Sequence, residues 1–377
     1  MYDIVHDEAI KEAETKAIHE VVQTQLELGI RPICSGEYTR HIYYGGFFET
    51  LHGMTPQPNL PIPDVFRTDF PTTTGLARMG ATTRAAVICT GPIRWKQSAY
   101  LEEWNLLKSS LGGSPELGKH AKITLPSPNY QHIQLRPGTA YTATSGYKND
   151  TEYFQALGAA YAAEIRALYD AGCRLISIDD PHLTYFCSSL FLGGCEKDGV
   201  DADALLDLYL AAHNYFLRAL KADTEDLRMG THLCRGNMSG STHWVSGSYD
   251  RIAEKLFTET DYETFYLEFD DVERQGGFEC LRFLPRGKNV VLGLVSTKKV
   301  DLERIEDLKG RILEAAEWVA RGQGVSREEA LDSLAISPQC GFSSSSLAGG
   351  KDMTMERMWE KFVLVRDTAR SVWKDAP

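Results

Sequence analysis

Side chains that bind metals follow three apolar runs in this sequence. His232 and Cys234 come directly after LRMGT, Glu268 lies within TFYLEFDD, and Cys340 follows SLAISP. Residues two apart in a strand point to the same face, so His232 and Cys234 can reach one ion. Taken singly, each residue has an ordinary structural explanation, such as a buried histidine beside an inert thiol. As a set they predict a zinc site held by His232, Cys234, Glu268 and Cys340.

The number of these candidate ligands bears on the chemistry. A catalytic zinc ion normally has three protein ligands and one exchangeable position, whereas four protein ligands are typical of structural sites. A thiol substrate that displaces Glu268 would reconcile four ligands with catalysis. Zinc would then lower the pKa of the thiol and provide a nucleophile at neutral pH. We therefore expect Zn²⁺ as the cofactor, and a small-molecule thiol and an alkyl donor as the partners.

Three acidic residues also follow apolar runs. Asp179 and Asp180 end RLISIDD ahead of Pro181, and Glu37 follows the run that ends near Cys34. Adjacent residues of a strand point to opposite faces, so we place Asp179 in the site and expect Asp180 to cap a turn. The alternative is that both aspartates only begin the next loop. For Glu37, the alternative is that it only lies in a turn or forms an ion pair.

The elements that would position these residues alternate along the chain. The β-rich runs are RPICS, AAVICT, KITL, RLISID, LRMGTHLC, TFYLEF, NVVLGLV and SLAISP. Apolar periodicity predicts helices over 6–29, 152–171, 202–220, 301–320 and 355–373. This alternation is typical of βα units, whose reactive groups gather at the carboxyl ends of parallel strands. We predict one α/β domain over residues 1–377, with a loop or hairpin excursion at about 45–95.

Bulk properties narrow the class of partner. The formal net charge of -12 over 377 residues opposes binding to nucleic acid or to anionic membrane surfaces. No apolar run approaches the length of a membrane-spanning helix, and the first residues are too acidic for a signal peptide. Eight cysteines without a C-x-x-C pair favour reduced thiols. We expect a cytoplasmic protein that acts on small molecules.

Seven motifs together resemble the catalytic half of cobalamin-independent methionine synthase, in the superfamily that includes uroporphyrinogen decarboxylase. They are GEYTRH at Gly36, TLPSP at Thr124, IDDP at Ile178, THLCRGN at Thr231, LEFDD at Leu267, LGLVSTK at Leu292 and SPQCGF at Ser337. The resemblance extends from about Glu20 to Trp373 and implies a (β/α)8 TIM barrel. It makes His232, Cys234, Glu268 and Cys340 the zinc ligands. It also makes Asp179 and Glu37 acids that bind an amino acid.

The sequence departs from the family pattern at several points. It lacks the N-terminal duplicate barrel and begins at the first helix, without the family's first strand, so AAVICT is alternatively a hairpin strand outside the barrel. IDDP replaces the usual aspartate-glutamate pair and is followed by His182. Where the family has a proton-donating histidine, this chain has Thr297-Lys298-Lys299. We assign catalytic roles to Lys298 and Asp179, and we expect an open edge to favour a homo-oligomer.

The leading hypothesis is zinc-dependent transfer of a methyl group to homocysteine, from methyltetrahydrofolate or another donor. The SPQCGFSS and STK motifs resemble the short single-domain relatives more than the full-length synthases, and these relatives include epoxide-opening coenzyme M transferases. An alternative is therefore addition of a different thiol to an epoxide or another electrophile. A third possibility, in a different class, is a non-catalytic barrel whose zinc is structural.

Overall fold

Two compact units make up the chain. A computed structural model describes residues 7–62, 80–236, 243–342 and 353–376. The first unit comprises Met1–Glu27, Arg31–Asp179 and Glu196–Met229, and the second comprises Leu28–Ile30, Asp180–Cys195 and Gly230–Pro377. The assignment of residues 1–377 to one barrel domain stays a prediction.

The long helices begin and end close to the predicted bounds. The helices of the described residues are α1 (Glu8–Leu28), α2 (Phe47–Thr50), α3 (Leu101–Ser110), α4 (Pro115–Gly118), α5 (Tyr130–Ile133), α6 (Asp150–Asp170), α7 (Ser189–Lys197), α8 (Ala202–Leu220), α9 (Asp250–Glu259), α10 (Val272–Gln275), α11 (Ile305–Gln323), α12 (Arg327–Leu331) and α13 (Met355–Val372). Three 3-10 helices span Ala143–Ser145, Leu183–Cys187 and Glu279–Phe283. Side-chain caps define where several helices begin. The Asn149 side chain accepts a hydrogen bond from the Glu152 N–H at the start of α6, and the Asp201 side chain accepts one from the Ala204 N–H at the start of α8. None of the described helices has the length and apolar character to cross a membrane.

An antiparallel hairpin forms the predicted excursion. Its strands are β1 (His52–Pro61) and β2 (Thr83–Arg94), and β2 contains AAVICT. The hairpin is attached to the rest of the first unit through Cys89, whose N–H donates to Ala140 at 2.9 Å. Part of the excursion, 63–79, lies outside the described residues. AAVICT therefore belongs to a hairpin and not to the parallel strands, as the alternative interpretation expected.

Within the part of the chain that the structure describes, six parallel strands follow the hairpin in chain order. They are β3 (Lys122–Pro126), β4 (Leu175–Asp179), β5 (Arg228–Leu233), β6 (Thr264–Glu268), β7 (Asn289–Val295) and β8 (Leu334–Pro338). In the first unit β3 pairs with β4, and in the second β5 to β8 pair in succession. Each corresponds to a predicted β-rich run, and helices intervene between most of them. The α/β fold class is confirmed.

The run RPICS is the exception among the predicted strands. Within the described residues it makes a single parallel bridge, in which Ile33 donates to His120 and accepts from Lys122, both at 2.8 Å. Pro32 has no N–H to donate, and the chain turns at Gly36 with φ +78°. The prediction of a regular strand over RPICS is therefore wrong beyond this bridge. Pro32 and Gly36, on either side of the bridge, prevent a longer ladder.

Candidate metal centre

Strand β5 presents the first two candidate ligands. His232 lies in β5, and Cys234 follows directly after the strand. Leu233, between them, is fully buried in the core. The Gly236 N–H donates to the Cys234 sulfur at 3.3 Å, in a turn where Gly236 has φ +95° and a Cβ would meet Trp244 at 2.8 Å. A glycine is needed at this position because the chain must turn tightly against Trp244.

The third candidate, Glu268, is the last residue of β6. The pairing of Leu233 with Leu267 brings the ends of β5 and β6 side by side. The Arg235 N–H donates to Glu268 Oε1 at 3.1 Å. The Glu268 N–H in turn donates to the Tyr249 hydroxyl at 3.2 Å, which donates to the Leu233 carbonyl at 3.3 Å. The backbone therefore holds Glu268 against the turn that carries Cys234.

Cys340 reaches the same place from β8. The Gln339 N–H donates to the Val295 carbonyl at 2.9 Å, which extends the β7–β8 ladder one residue past the end of β8. The Gln339 side chain accepts from the Thr297 N–H at 2.8 Å and ties the loop after β7 to this segment. Gly293 permits the approach, because a Cβ there would lie 2.8 Å from the Gln339 Cα. The ladder therefore directs Cys340 toward the ends of β5 and β6.

The four side chains converge, and we call them the metal-ligand cluster. One donor atom from each of His232, Cys234, Glu268 and Cys340 lies within 4.8 Å of the others. The Cys234 and Cys340 sulfurs are 3.5 Å apart. Ligand atoms around a tetrahedral zinc ion are separated by roughly 3.3 to 3.8 Å, so the cluster needs only small shifts to hold one. Glu268 Oε2 is buried and accepts no hydrogen bond from the described residues, as expected for an oxygen that serves a metal.

Electrostatics within the cluster favour proton loss from one cysteine. Burial, with Cys340 nearby, raises the pKa of Glu268 to about 8. A hydrogen bond from Cys234 holds the pKa of Cys340 well below its usual value, and His232 acts in the same direction. The same hydrogen bond raises the pKa of Cys234, and burial adds to it. Both shifts favour proton loss from Cys340 over proton loss from Cys234.

Two basic residues lie beside the cluster. His243 Nδ1 is 3.7 Å from Glu268 Oε2. Burial, together with the charge of Lys298 and other nearby basic residues, lowers the pKa of His243 to about 3. The charge of Lys298 also lowers the pKa of Cys340, and the catalytic role of Lys298 stays a prediction. His243 was not predicted from the sequence, where its only signal is its position shortly after THLCRGN.

The two aspartates after β4 have different environments. Asp180 is fully buried, and its Oδ1 accepts from the N–H groups of His182 at 2.8 Å and Leu183 at 3.1 Å. Asp180 therefore caps the following turn, as expected for one of the pair. Asp179 is the half-buried last residue of β4, and its carbonyl accepts from the Ser127 N–H at 3.1 Å. Its role in the site stays a prediction.

Glu37 lies in the first unit, after the Ile33 bridge. Its Oε1 accepts a hydrogen bond from the Thr124 hydroxyl of β3 and lies 3.7 Å from Arg40 Nη1. Pro126, two residues beyond Thr124, is paired with Asp179 across β3 and β4. Glu37 is thus tied to the first unit's parallel strands close to their carboxyl ends.

Comparison with known proteins identifies the family. Residues 139–351 match the model of the cobalamin-independent synthase catalytic domain. The chain belongs to the cobalamin-independent methionine synthase family. Members are enzymes of the methionine synthase type, which are methyltransferases. The resemblance seen in the sequence motifs is confirmed.

Relatives extend the match over nearly the whole chain. The uncharacterized proteins YxjG and YxjH of Bacillus subtilis (strain 168) are 33% and 31% identical to it, and each alignment covers 97% of this chain and 87% of the relative. The candidate vitamin-B12-independent methionine synthase of Listeria monocytogenes superposes with a TM-score of 0.67 at 26% identity, over 96% of this chain and 88% of that one. The B12-independent methionine synthase of Shewanella sp. W3-18-1, solved with selenomethionine, has the same TM-score at 18% identity, over 98% and 91% of the two chains. This last likeness bears on the fold alone.

Proposed function

We propose that this protein is a zinc-dependent S-methyltransferase that transfers a methyl group to homocysteine. The observation that supports it best is the convergence of His232, Cys234, Glu268 and Cys340 from three strand ends. Two thiols, an imidazole and a carboxylate form a donor set that suits zinc better than magnesium or calcium, which prefer oxygen. Membership of a methyltransferase family supports the reaction type.

The residues of the cluster would each have a defined task. Zinc bound by these four side chains would act as a Lewis acid that lowers the pKa of a substrate thiol. Glu268 is the ligand best suited to yield its place to that thiol, because a carboxylate oxygen is a poorer zinc ligand than a thiolate or an imidazole. The Arg235 N–H would retain Glu268 Oε1 meanwhile. Lys298 would stabilise negative charge that develops beside Cys340.

The amino-acid part of homocysteine would be recognised by Glu37 and Asp179. Glu37 and Asp179 match the family's amino-acid-binding positions in sequence, and both lie at or next to β3 and β4. A carboxylate binds an ammonium group through charge-assisted hydrogen bonds. We assign substrate binding to Glu37 and Asp179.

The methyl donor is the less constrained half of the reaction. A methyl group on the tertiary N5 of a folate leaves poorly unless the nitrogen is protonated first. The family's proton-donating histidine is replaced by Thr297-Lys298-Lys299, so Lys298 would have to supply that proton. We infer methyltetrahydrofolate or a donor that needs no proton, such as a sulfonium compound.

Product formation tests this proposal directly. The zinc-loaded protein should convert homocysteine to methionine with methyltetrahydrofolate or with a sulfonium donor, and Cys340→Ser should not. Zinc content is measured on the same samples. If wild-type protein carries zinc yet forms no methionine from any donor, and added thiols leave the zinc coordination unchanged, the site is structural and the proposal is wrong.

A second reaction of the same site is favoured by Lys298. A lysine beside the cluster suits an anionic thiol, or the alkoxide that forms when a thiolate opens an epoxide. A thiol panel assayed with an epoxide would then give an addition product in place of methionine. The contrast between the two assays identifies the electrophile without changing the assignment of the cluster.

We also infer a cytoplasmic location and a homo-oligomer. All eight cysteines are free thiols, including the adjacent Cys234 and Cys340, which fits a reducing compartment. Chromatography with light scattering measures the oligomeric state.

A further inference from the structure

The backbone at Glu37 adopts a conformation that L residues avoid. Glu37 has φ +59° and is the one non-glycine residue with positive φ among the described parts of the chain. Such a conformation persists where the surrounding structure enforces it, and it is concentrated at functional sites. The contacts around Glu37 show what enforces it.

A hydrogen-bond chain leads from the Glu37 backbone into the first unit. The Glu37 N–H donates to the Ser35 hydroxyl at 3.1 Å. The Ser35 hydroxyl donates to Glu103 Oε1 at 2.6 Å. Glu103 lies on α3, has a side chain only 3% exposed, and also accepts from the Thr39 hydroxyl at 3.1 Å.

A second chain returns from Glu103 to the Glu37 side chain. Arg40 Nε donates to Glu103 Oε2 at 2.6 Å, and Arg40 Nη1 donates to the Thr124 hydroxyl at 3.0 Å. The Thr124 hydroxyl donates to Glu37 Oε1. The two chains close a ring that begins and ends on Glu37, and we call the set Glu37, Ser35, Glu103, Arg40 and Thr124 the Glu37 ring.

The ring has a fixed polarity and a net negative charge. The Ser35 and Thr124 hydroxyls each donate their single proton within the ring. Burial disfavours charge on Arg40, but Glu103 and Glu37 outweigh this and raise its pKa, so Arg40 stays cationic. Arg40 and Glu103 are both 3% exposed and neutralise each other. The unbalanced charge is that of Glu37.

One oxygen of Glu37 is left for a ligand. The side chain is 31% exposed, and Oε2 accepts no hydrogen bond from the residues that the structure describes. Oε1, by contrast, is held by Thr124. A carboxylate fixed through one oxygen, with the other accessible, can accept a directed hydrogen bond from a cationic donor.

We propose that the Glu37 ring is a positioning device that aims Glu37 Oε2 at the ammonium group of an amino-acid thiol and thereby selects such thiols over analogues without the amino group. This inference rests on the proposed function for the identity of the thiol. The ring residues other than Glu37 act through it and do not touch the substrate. The ring would strengthen binding by preorganisation, because a carboxylate that is already fixed loses less conformational freedom on binding than a mobile one.

The decisive variant is Thr124→Val, which breaks the ring without leaving a buried charge. Dissociation constants of the zinc-loaded protein are measured by calorimetry for homocysteine and for 4-mercaptobutanoate, which lacks the amino group. We expect about 10-fold weaker binding of homocysteine, the loss of roughly one charge-assisted hydrogen bond, and an unchanged constant for 4-mercaptobutanoate. Thr124→Ser, which keeps the hydroxyl, should restore the preference. Thr224→Val is the matched control, because Thr224 is a buried threonine that donates only to the Leu220 carbonyl.

Equal loss for both thiols would mean that Thr124 has only a structural role, and the inference would be wrong. Failure of the proposed function looks different: wild-type protein would bind neither thiol. In that case a measurement without substrate tests whether the residues of the Glu37 ring are coupled. Urea midpoints of Glu37→Ala, Thr124→Val and the double variant should shift by less than the sum of the single shifts, because both changes break one ring. Additive shifts would overturn it.

Discussion

The metal-ligand cluster and the Glu37 ring hold their carboxylates in opposite ways. Glu268 is fully buried, and its Oε2 has no hydrogen-bond donor among the described residues. Glu37 is partly exposed, and its Oε1 accepts a hydrogen bond from the Thr124 hydroxyl of the Glu37 ring. A buried carboxylate with one oxygen that lacks a donor is stabilised by protonation or by a bound cation. This difference is the one expected if a metal ion completes the cluster, whereas Glu37 Oε1 already has its donor in Thr124.

The two regions should therefore respond differently when the metal is removed. The cluster loses the partner that its two sulfurs and Glu268 require, and an unsatisfied buried polar group costs about 1–3 kcal/mol. The Glu37 ring keeps every one of its hydrogen bonds. Variants of the cluster should abolish the chemistry for every thiol, and variants of the ring should change which thiol is preferred.

The largest effect is expected for Cys340→Ser. A serine hydroxyl binds zinc much more weakly than a thiolate does. Zinc affinity should therefore fall on the order of 100-fold or more, and methyl transfer should be lost for every thiol. Metal content by mass spectrometry and competition with a chelator measure the change. Cys187→Ser is the control, because Cys187 is also a half-buried free cysteine of the second unit. Retention of stoichiometric, tightly bound zinc in Cys340→Ser would exclude Cys340 as a ligand.

The sequence predicts these two regions unequally. The four cluster residues are of zinc-binding type and follow β-rich runs, so their convergence could be inferred from parallel strand topology. The Glu37 ring could not, because its members are ordinary residues from distant segments. Glu103 lies on α3, 66 residues after Glu37 in the chain, and nothing in LEEWNLL marks it as part of a site. His243 was not predicted for a different reason: it follows Cys234 by nine residues, but a lone histidine forms no ligand pattern.

The elements of the fold are also predicted unequally from the sequence. Helix α8 begins and ends where periodicity predicts, because a repeating apolar face and the Asp201 cap are local signals. AAVICT and RPICS have the composition of strands, but their pairing depends on partners far along the chain. The first pairs antiparallel in the hairpin, and the second makes one bridge at Ile33. The local sequence pattern predicts that a strand forms, whereas the strand with which it pairs depends on the topology of the whole fold.

A smaller effect is expected from the pH dependence of the metal-free protein. Folding raises the pKa of Glu268 from 4.5 to about 8, mainly through burial. Between these values the folded state retains a proton that the unfolded state has released. Glu268 therefore makes the free energy of unfolding fall as pH rises from about 5 to 8, by on the order of 1–4 kcal/mol. Urea titrations of wild type and Glu268→Gln with chelator present measure the difference.

Cys340 opposes this trend, since its lowered pKa adds stability as pH rises, so the informative quantity is the difference in slope between the two proteins. Saturating zinc should reverse the wild-type slope, because deprotonated ligands bind the metal and affinity grows with pH. Identical slopes for wild type and Glu268→Gln without metal would show that Glu268 is solvated, and the contrast with Glu37 would then disappear.

The smallest effect is expected for Tyr249→Phe, which probes whether backbone positioning matters in the cluster as it does in the ring. The Tyr249 hydroxyl bridges the Leu233 carbonyl and the Glu268 N–H, while its ring stacks on Arg235 with 4.1 Å between guanidinium carbon and ring centre. Phenylalanine keeps the stacking and removes only the bridge. Indirect contacts of this kind contribute about 10-fold to metal affinity, so we expect roughly that loss.

Tyr147→Phe is the matched control, because the Tyr147 hydroxyl also accepts a backbone N–H, from Ile93 at 2.8 Å, but lies at the hairpin of the first unit. Both variants should lower the free energy of unfolding by about 1 kcal/mol, the worth of a hydrogen bond. Only Tyr249→Phe should weaken zinc binding, measured by competition with a chelator. Equal zinc affinity in the two variants would mean that the cluster, unlike the Glu37 ring, is positioned by its ligands alone.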